Sequence, residues 1–151
     1  MGFDYASLIT DRSDTDVGSD ELRGSYDFRA LNRVTGAMED LNRRFAALGY
    51  LTGYVPVMIS HLDGTSSTVW MEDDEDIQLT RLESYRANVA ALRQVLTLVE
   101  STPQAPADMD LLTVEEANAI EQILVNIDET LIRMATTFVA CGPATCGGDY
   151  L

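Results

Sequence analysis

The sequence contains no lysine, one histidine, two cysteines and four prolines in 151 residues. Each shortage removes a class of function. Ser-His-Asp or Cys-His catalysis would have to run through His61, which sits beside a predicted turn, and a surface histidine is the simpler reading there. Di-iron bundle chemistry falls with it, because no Glu-x-x-His pair is present. Cys141 and Cys146 look like half of a zinc site, but no second Cys or His pair supplies four ligands. They are too few for a disulfide framework, and free thiols in a reducing cell are favoured. A labile disulfide closing the tail and packing at a subunit contact are the alternatives. Gly147-Gly148 has no helix after it, so it is not a phosphate loop. No apolar run reaches the ~18 residues of a membrane span. Met1 to Tyr5 lacks the basic start and apolar centre of a signal peptide, and Gly2 with Ser7 misses the myristoylation spacing. Synthesis in the cytoplasm is the expectation.

Charge of one sign is also scarce. Ten basic residues, all arginine, face 25 acidic ones, for a formal net charge of -15. Such a surface repels phosphate backbones and anionic lipid, so neither nucleic acid nor membrane is an expected partner. Basic proteins and divalent cations would suit it, although a solvated acidic face is the plainer explanation. The run Glu72 to Asp76 could meet a cation or a basic groove, but carboxylates also favour a helix start, and that reading is preferred. The segment Asp11 to Leu22 fails as an EF-hand, since no register puts glycine sixth with carboxylates first, third and fifth.

What the sequence has in quantity is helical periodicity. Leu31, Val34, Met38, Leu41, Phe45 and Leu48 form one 3-4 series. Leu82, Tyr85, Val89, Leu92, Leu96 and Val99 form a second, and Ala117, Ile120, Leu124, Ile127, Leu131, Met134 and Phe138 a third. Each spacing lines one helix face with apolar side chains that must be buried. Asp27 is a suitable N-cap for the first helix and Gly49 a suitable residue just past its end. Gly36 interrupts this helix, either permitting close helix contact or merely tolerated. Glu39 with Arg43 and Asp40 with Arg44 are i,i+4 pairs expected on its outer face. Thr80 with Glu83, and Thr113 with Glu116, match capping boxes. They predict a second helix to about Glu100 and a third to about Val139, ended by Gly142 and Pro143. Glu115, Glu116 and Glu121 are expected to face outward or to cap, which leaves no carboxylate dyad for acid-base work.

Between the first two helices, Val55, Val57 and Ile59 alternate, Asp63-Gly64 supplies a turn, and Thr65 to Trp70 is rich in Thr and Val. This predicts a small β-hairpin over about 54–70, with Pro56 confining the first run to an edge strand. Trp70 is expected to plug the joint between hairpin and bundle. The fold class is therefore mainly α: a three-helix bundle with a small β-hairpin insertion between helices 1 and 2. An extended N-terminal arm (1–26) precedes the bundle domain (27–140), and a C-terminal tail (141–151) follows it. The arm carries a short apolar patch at Tyr5, Leu8 and Ile9 that leans on its own bundle or on a neighbour. No catalytic, cofactor-binding or metal-binding residue is assigned, and an enzyme is not expected.

Four stretches carry a resemblance: Leu8-Ile9-Thr10-Asp11-Arg12; Gly24-Ser25-Tyr26-Asp27 through Leu31-Asn32-Arg33-Val34 to Ala47-Leu48-Gly49-Tyr50; Tyr85 to Arg93; and Pro106 to Met109 continuing to Glu121. In order and spacing they resemble a family of small proteins from tailed phages and prophages of Gram-positive, largely gut-dwelling bacteria. The sequence departs from that pattern at Val57 to Thr68, which looks like an expanded hairpin, and in its shorter arm. The resemblance implies a non-enzymatic structural protein of the virion tail, near fibre or baseplate. Its partners would be other phage tail proteins and further copies of itself, as trimer or hexamer. The alternative is a free acidic intracellular binding module, a decoy or inhibitor that occupies a basic site on a host protein.

Overall fold

The computed structural model describes residues 3–13, 15, 27–71, 79–109 and 112–141, the side chains of 79–80 and 137–141 excepted. Outside this set lie Glu72 to Asp76, most of Asp11 to Leu22, the Thr80 side chain, the Cys141 side chain, and the tail 142–151 with Cys146. Three helices, α1 (Phe28–Ala47), α2 (Leu79–Arg93) and α3 (Val114–Cys141), all touch one another. A two-stranded antiparallel ribbon, β1 (Ile59–Ser60) with β2 (Ser66–Ser67), stands between α1 and α2. The chain is thus a mainly α three-helix bundle with a hairpin insertion.

Local chemistry sets several boundaries as the sequence predicts. The Asp27 carboxylate accepts the Arg29 N–H at 3.0 Å, capping α1. At the other end Gly49 takes φ +88°, its N–H donates to the Ala46 carbonyl, and the Tyr50 N–H reaches the Phe45 carbonyl at 2.9 Å. That is a Schellman closure, and its apolar contact is the edge-to-face pair of Phe45 and Tyr50, 5.8 Å apart. Thr113 and Glu116 exchange the two bonds of a capping box at the start of α3, 3.0 and 3.1 Å.

The predicted stripes meet in one core: Val34, Leu41, Phe45, Tyr85, Val89, Leu92, Ile120, Leu124 and Ile127 are all fully buried. Ile59, Trp70, Met109 and Leu8 close it from outside the helices, so Trp70 is the plug at the hairpin joint. Four expectations need correction. The second helix stops at Arg93 rather than near Glu100. There the Arg93 guanidinium donates to the carbonyls of Thr102 and Pro103 (2.9 and 2.7 Å), drawing the chain back over the helix end. Leu96 consequently packs on the core from a turn, while Val99 and, past α1, Leu48 are about half exposed. Pro56 lies in no paired strand: the run before Ile59 is held by a side chain on α2, described below. Gly36 admits no helix; a Cβ there would lie 3.2 and 3.3 Å from the ring of Phe3 in the arm. Asp40 is buried rather than on an outer face.

Candidate functional site

Residues 3–13 of the arm lie along the groove between α1 and α3. Leu8 joins the core, and the Phe3 and Tyr5 rings meet edge to face at 5.1 Å. Two charge clusters hold the arm down. In the first, Glu121 is wholly buried. Its Oε1 accepts the Ile9 N–H (3.0 Å) and Arg33 Nε (2.8 Å); its Oε2 accepts Arg33 Nη2 (3.1 Å) and Arg12 Nη2. Asn118 on α3 adds a two-way bond, Oδ1 accepting from the Arg12 N–H (2.9 Å) and Nδ2 donating to the Arg12 carbonyl (3.0 Å). A carboxylate with four donors already in place has no lone pair facing a substrate. The arrangement is a clasp, and the expectation that Glu121 faces outward is corrected. Two arginines, one from the arm and one from α1, offset its desolvation.

In the second cluster the Tyr5 hydroxyl donates to Asp40 Oδ2 at 2.8 Å. Arg44 bridges Asp40 (3.3 Å) and Asp128 (2.7 Å) and lies over the Tyr5 ring. Burial, then the hydrogen bond and charge of Asp40, hold the Tyr5 phenol well above its ordinary value. It is therefore a donor at every physiological pH and not a base. Burial alone would lower Arg44, but its bond to Asp128 and the neighbouring Tyr5 and Asp40 raise it. These groups border an open recess of about 360 Å³ with Phe3, Asp4 and Ile132. The ion pairs satisfy one another, so the recess offers shape without spare reactive groups.

The hairpin segment is different in kind. Two asparagine amides pin it to the bundle by pairing with backbone as a strand would. Asn88 on α2 accepts the Val55 N–H (2.9 Å) and donates to the Val55 carbonyl (2.8 Å). Asn32 on α1 does the same to Trp70, at 2.7 Å both ways. Gly53 lies so close to α2 that a Cβ would come within 3.1 Å of the Ala91 methyl. Gly64 turns the ribbon at φ +86°, and Asp63 accepts the Thr65 N–H (2.9 Å) and hydroxyl (2.6 Å); those two bonds lower the Asp63 carboxyl. Across residues 48–71 Ile59 and Trp70 turn into the core, while most of the other large apolar side chains point outward. Of the ten large apolar residues exposed among the described residues, eight belong to this segment: Leu48, Tyr50, Leu51, Val55, Met58, Leu62, Val69 and Met71. Val55 and Met58, with Pro56, Arg81 and Ser84, line a groove of about 400 Å³.

His61 sits on this ribbon with Nε2 2.7 Å from Ser67 Oγ, a partner the sequence did not suggest. The distance would suit a nucleophile and its base, but the same hydroxyl also accepts the Val69 N–H at 3.2 Å. A serine nucleophile needs N–H donors turned toward a substrate carbonyl. Here the neighbouring donor is spent on the serine, and the contact ties the ribbon shut. Among the described residues no three His, Cys, Asp or Glu side chains gather as a metal site requires, and no helix is long and apolar enough to cross a membrane.

Two features escaped sequence reasoning although a signal existed. Glu121 and Asp128 stand seven apart on α3, each one residue beyond a core position (Ile120, Ile127), so both flank the stripe and need cationic partners. The apolar excess of 48–71 was visible, but alternation alone assigns half of such residues inward. No family model matches the sequence, and neither a curated protein nor a solved structure matches it.

Proposed function

We propose that this protein is a non-enzymatic assembly component, a structural protein of a phage tail at the fibre attachment or baseplate, used in several copies. The observation that carries the reading is the stretch 48–71, the hairpin with its approaches: eight exposed large apolar side chains in a chain that is otherwise strongly acidic. Monomeric soluble domains rarely leave so much apolar area uncovered, and a patch of this kind marks a protein contact. The two asparagine pins support the reading, because they present the segment already shaped and lower the ordering cost of docking. The resemblance in the arm, in α1, over Tyr85 to Arg93 of α2 and from Pro106 to Glu121 supports a place in the virion tail. The saturated state of both charge clusters gives no support to a catalytic role.

The net charge of -15 favours a second reading, a free acidic module that occupies a basic site on a host protein. Purified virions or induced tail-like particles, analysed by quantitative mass spectrometry, separate the two. Stoichiometric presence is expected, with a copy number that reports the symmetry of the site. Absence from particles, with the protein abundant in infected cells, would overturn the tail reading and leave the acidic module in first place.

A further inference from the structure

The stretch from Leu48 to Met71 lies within the longest run of the sequence that holds only one charged residue. Its 24 residues hold a single carboxylate, Asp63, and no arginine, in a chain with 35 charged residues. A basic partner would gain nothing by docking there. Instead the segment is a neutral window on an otherwise repulsive body, which is what two like-charged copies need in order to meet. Charge depletion with aromatic and Met enrichment is also the composition of interface cores.

Resting on the assembly reading above, we infer that this face docks a second copy of the same chain. The area is sufficient. The exposed fractions of the eight residues add up to almost five whole residues, backbone included, roughly 900 Å² when all of it is covered, against the ~800 Å² per partner of an ordinary stable interface. Leu51 (96% exposed) and Leu62 (82%) make almost no contact with their own chain, so their place is in the contact with another. The face is fixed before docking, because Val55 and Trp70 are tied to helices α2 and α1 through Asn88 and Asn32. A dimer of this kind has a distinct signature. Salt screens the repulsion between two chains of charge -15 while leaving the apolar contact intact, so association strengthens as salt rises. Docking of a basic partner would weaken instead.

The test needs no added partner: the full chain alone, followed by light scattering and analytical ultracentrifugation from about 0.05 M to about 0.5 M NaCl. Leu51→Asp and Leu62→Asp serve as variants whose fold is checked by circular dichroism. The expected result is a dimer whose Kd falls about tenfold or more with salt, and rises at least about tenfold in each variant. A monomer at every salt concentration, an association that weakens with salt, or a dimer indifferent to both variants would overturn the inference. Particle mass spectrometry keeps the two proposals apart. A chain present in particles but monomeric alone loses only the self-docking face; a chain that dimerises as described but is absent from particles loses only the tail role.

Discussion

Replacing Glu121 with alanine is expected to cost far more than replacing either arginine it holds. The wild-type carboxylate is fully buried and accepts from Ile9, from two nitrogens of Arg33 and from Arg12. Glu121→Ala removes the carboxylate from Arg12, whose side chain is 1% exposed, and at the same time from Arg33 and the Ile9 N–H. Breaking a buried ion pair by removing one partner costs about 3–5 kcal/mol. Arg12→Ala is milder, because Glu121 keeps three of its four donors; loss of one charge-assisted bond costs about 1–3 kcal/mol. The double variant loses the Arg12–Glu121 contact only once, so it should fall short of the sum by about 1–3 kcal/mol. Urea and thermal unfolding followed by circular dichroism measure all three. At this chain length Glu121→Ala should lower Tm by roughly 10 °C, at about 2–4 °C per kcal/mol. An Arg12→Ala variant as damaged as Glu121→Ala, or strictly additive effects, would refute the clasp.

Other consequences are equally direct. The Tyr5 phenol is raised by burial and Asp40, and Tyr54 is pushed up to about 12 by burial and the Glu39 charge, against an ordinary 10.0 for the unfolded chain. Both therefore add stability that is complete below pH 10 and is lost as pH rises from there through the folded values. Ultraviolet titration of tyrosinate should show Tyr5 and Tyr54 among the late phenols, and Tyr5→Phe should remove one late phenol and flatten the alkaline loss of stability. Gly36→Ala gains about 1 kcal/mol of helix propensity but drives a methyl into the Phe3 ring. It should stabilise clearly only in a Phe3→Ala background, as read by urea midpoints. Asn32→Ala removes both bonds to the Trp70 backbone, a loss of about 1–3 kcal/mol, and the emission of this single tryptophan should shift to the red as the hairpin joint opens.

The features that were legible in the sequence are those closed by near neighbours. Asp27, Gly49 and the Thr113–Glu116 box act across two to four residues, so their chemistry fixes the ends of α1 and the start of α3 wherever the rest of the chain lies. The three stripes specify which faces are buried because a 3.6-residue period has one solution per helix. The ribbon followed from Asp63-Gly64, whose glycine alone tolerates φ +86° without strain. What only the tertiary structure decided involves partners far apart. Helix α2 stops at Arg93, whose guanidinium is met by the carbonyls of Thr102 and Pro103 from the returning chain. Asp128 is paired by a residue 84 positions away, and Glu121 by Arg12 at 109 positions and Arg33 at 88. A carboxylate beside an apolar stripe reads as solvated until a cation from another element covers it, and no local pattern states that this will happen. The exposed face of 48–71 was settled the same way: Asn88 and Asn32 fix Val55 and Trp70 against the bundle, and eight large apolar side chains of the segment stay exposed.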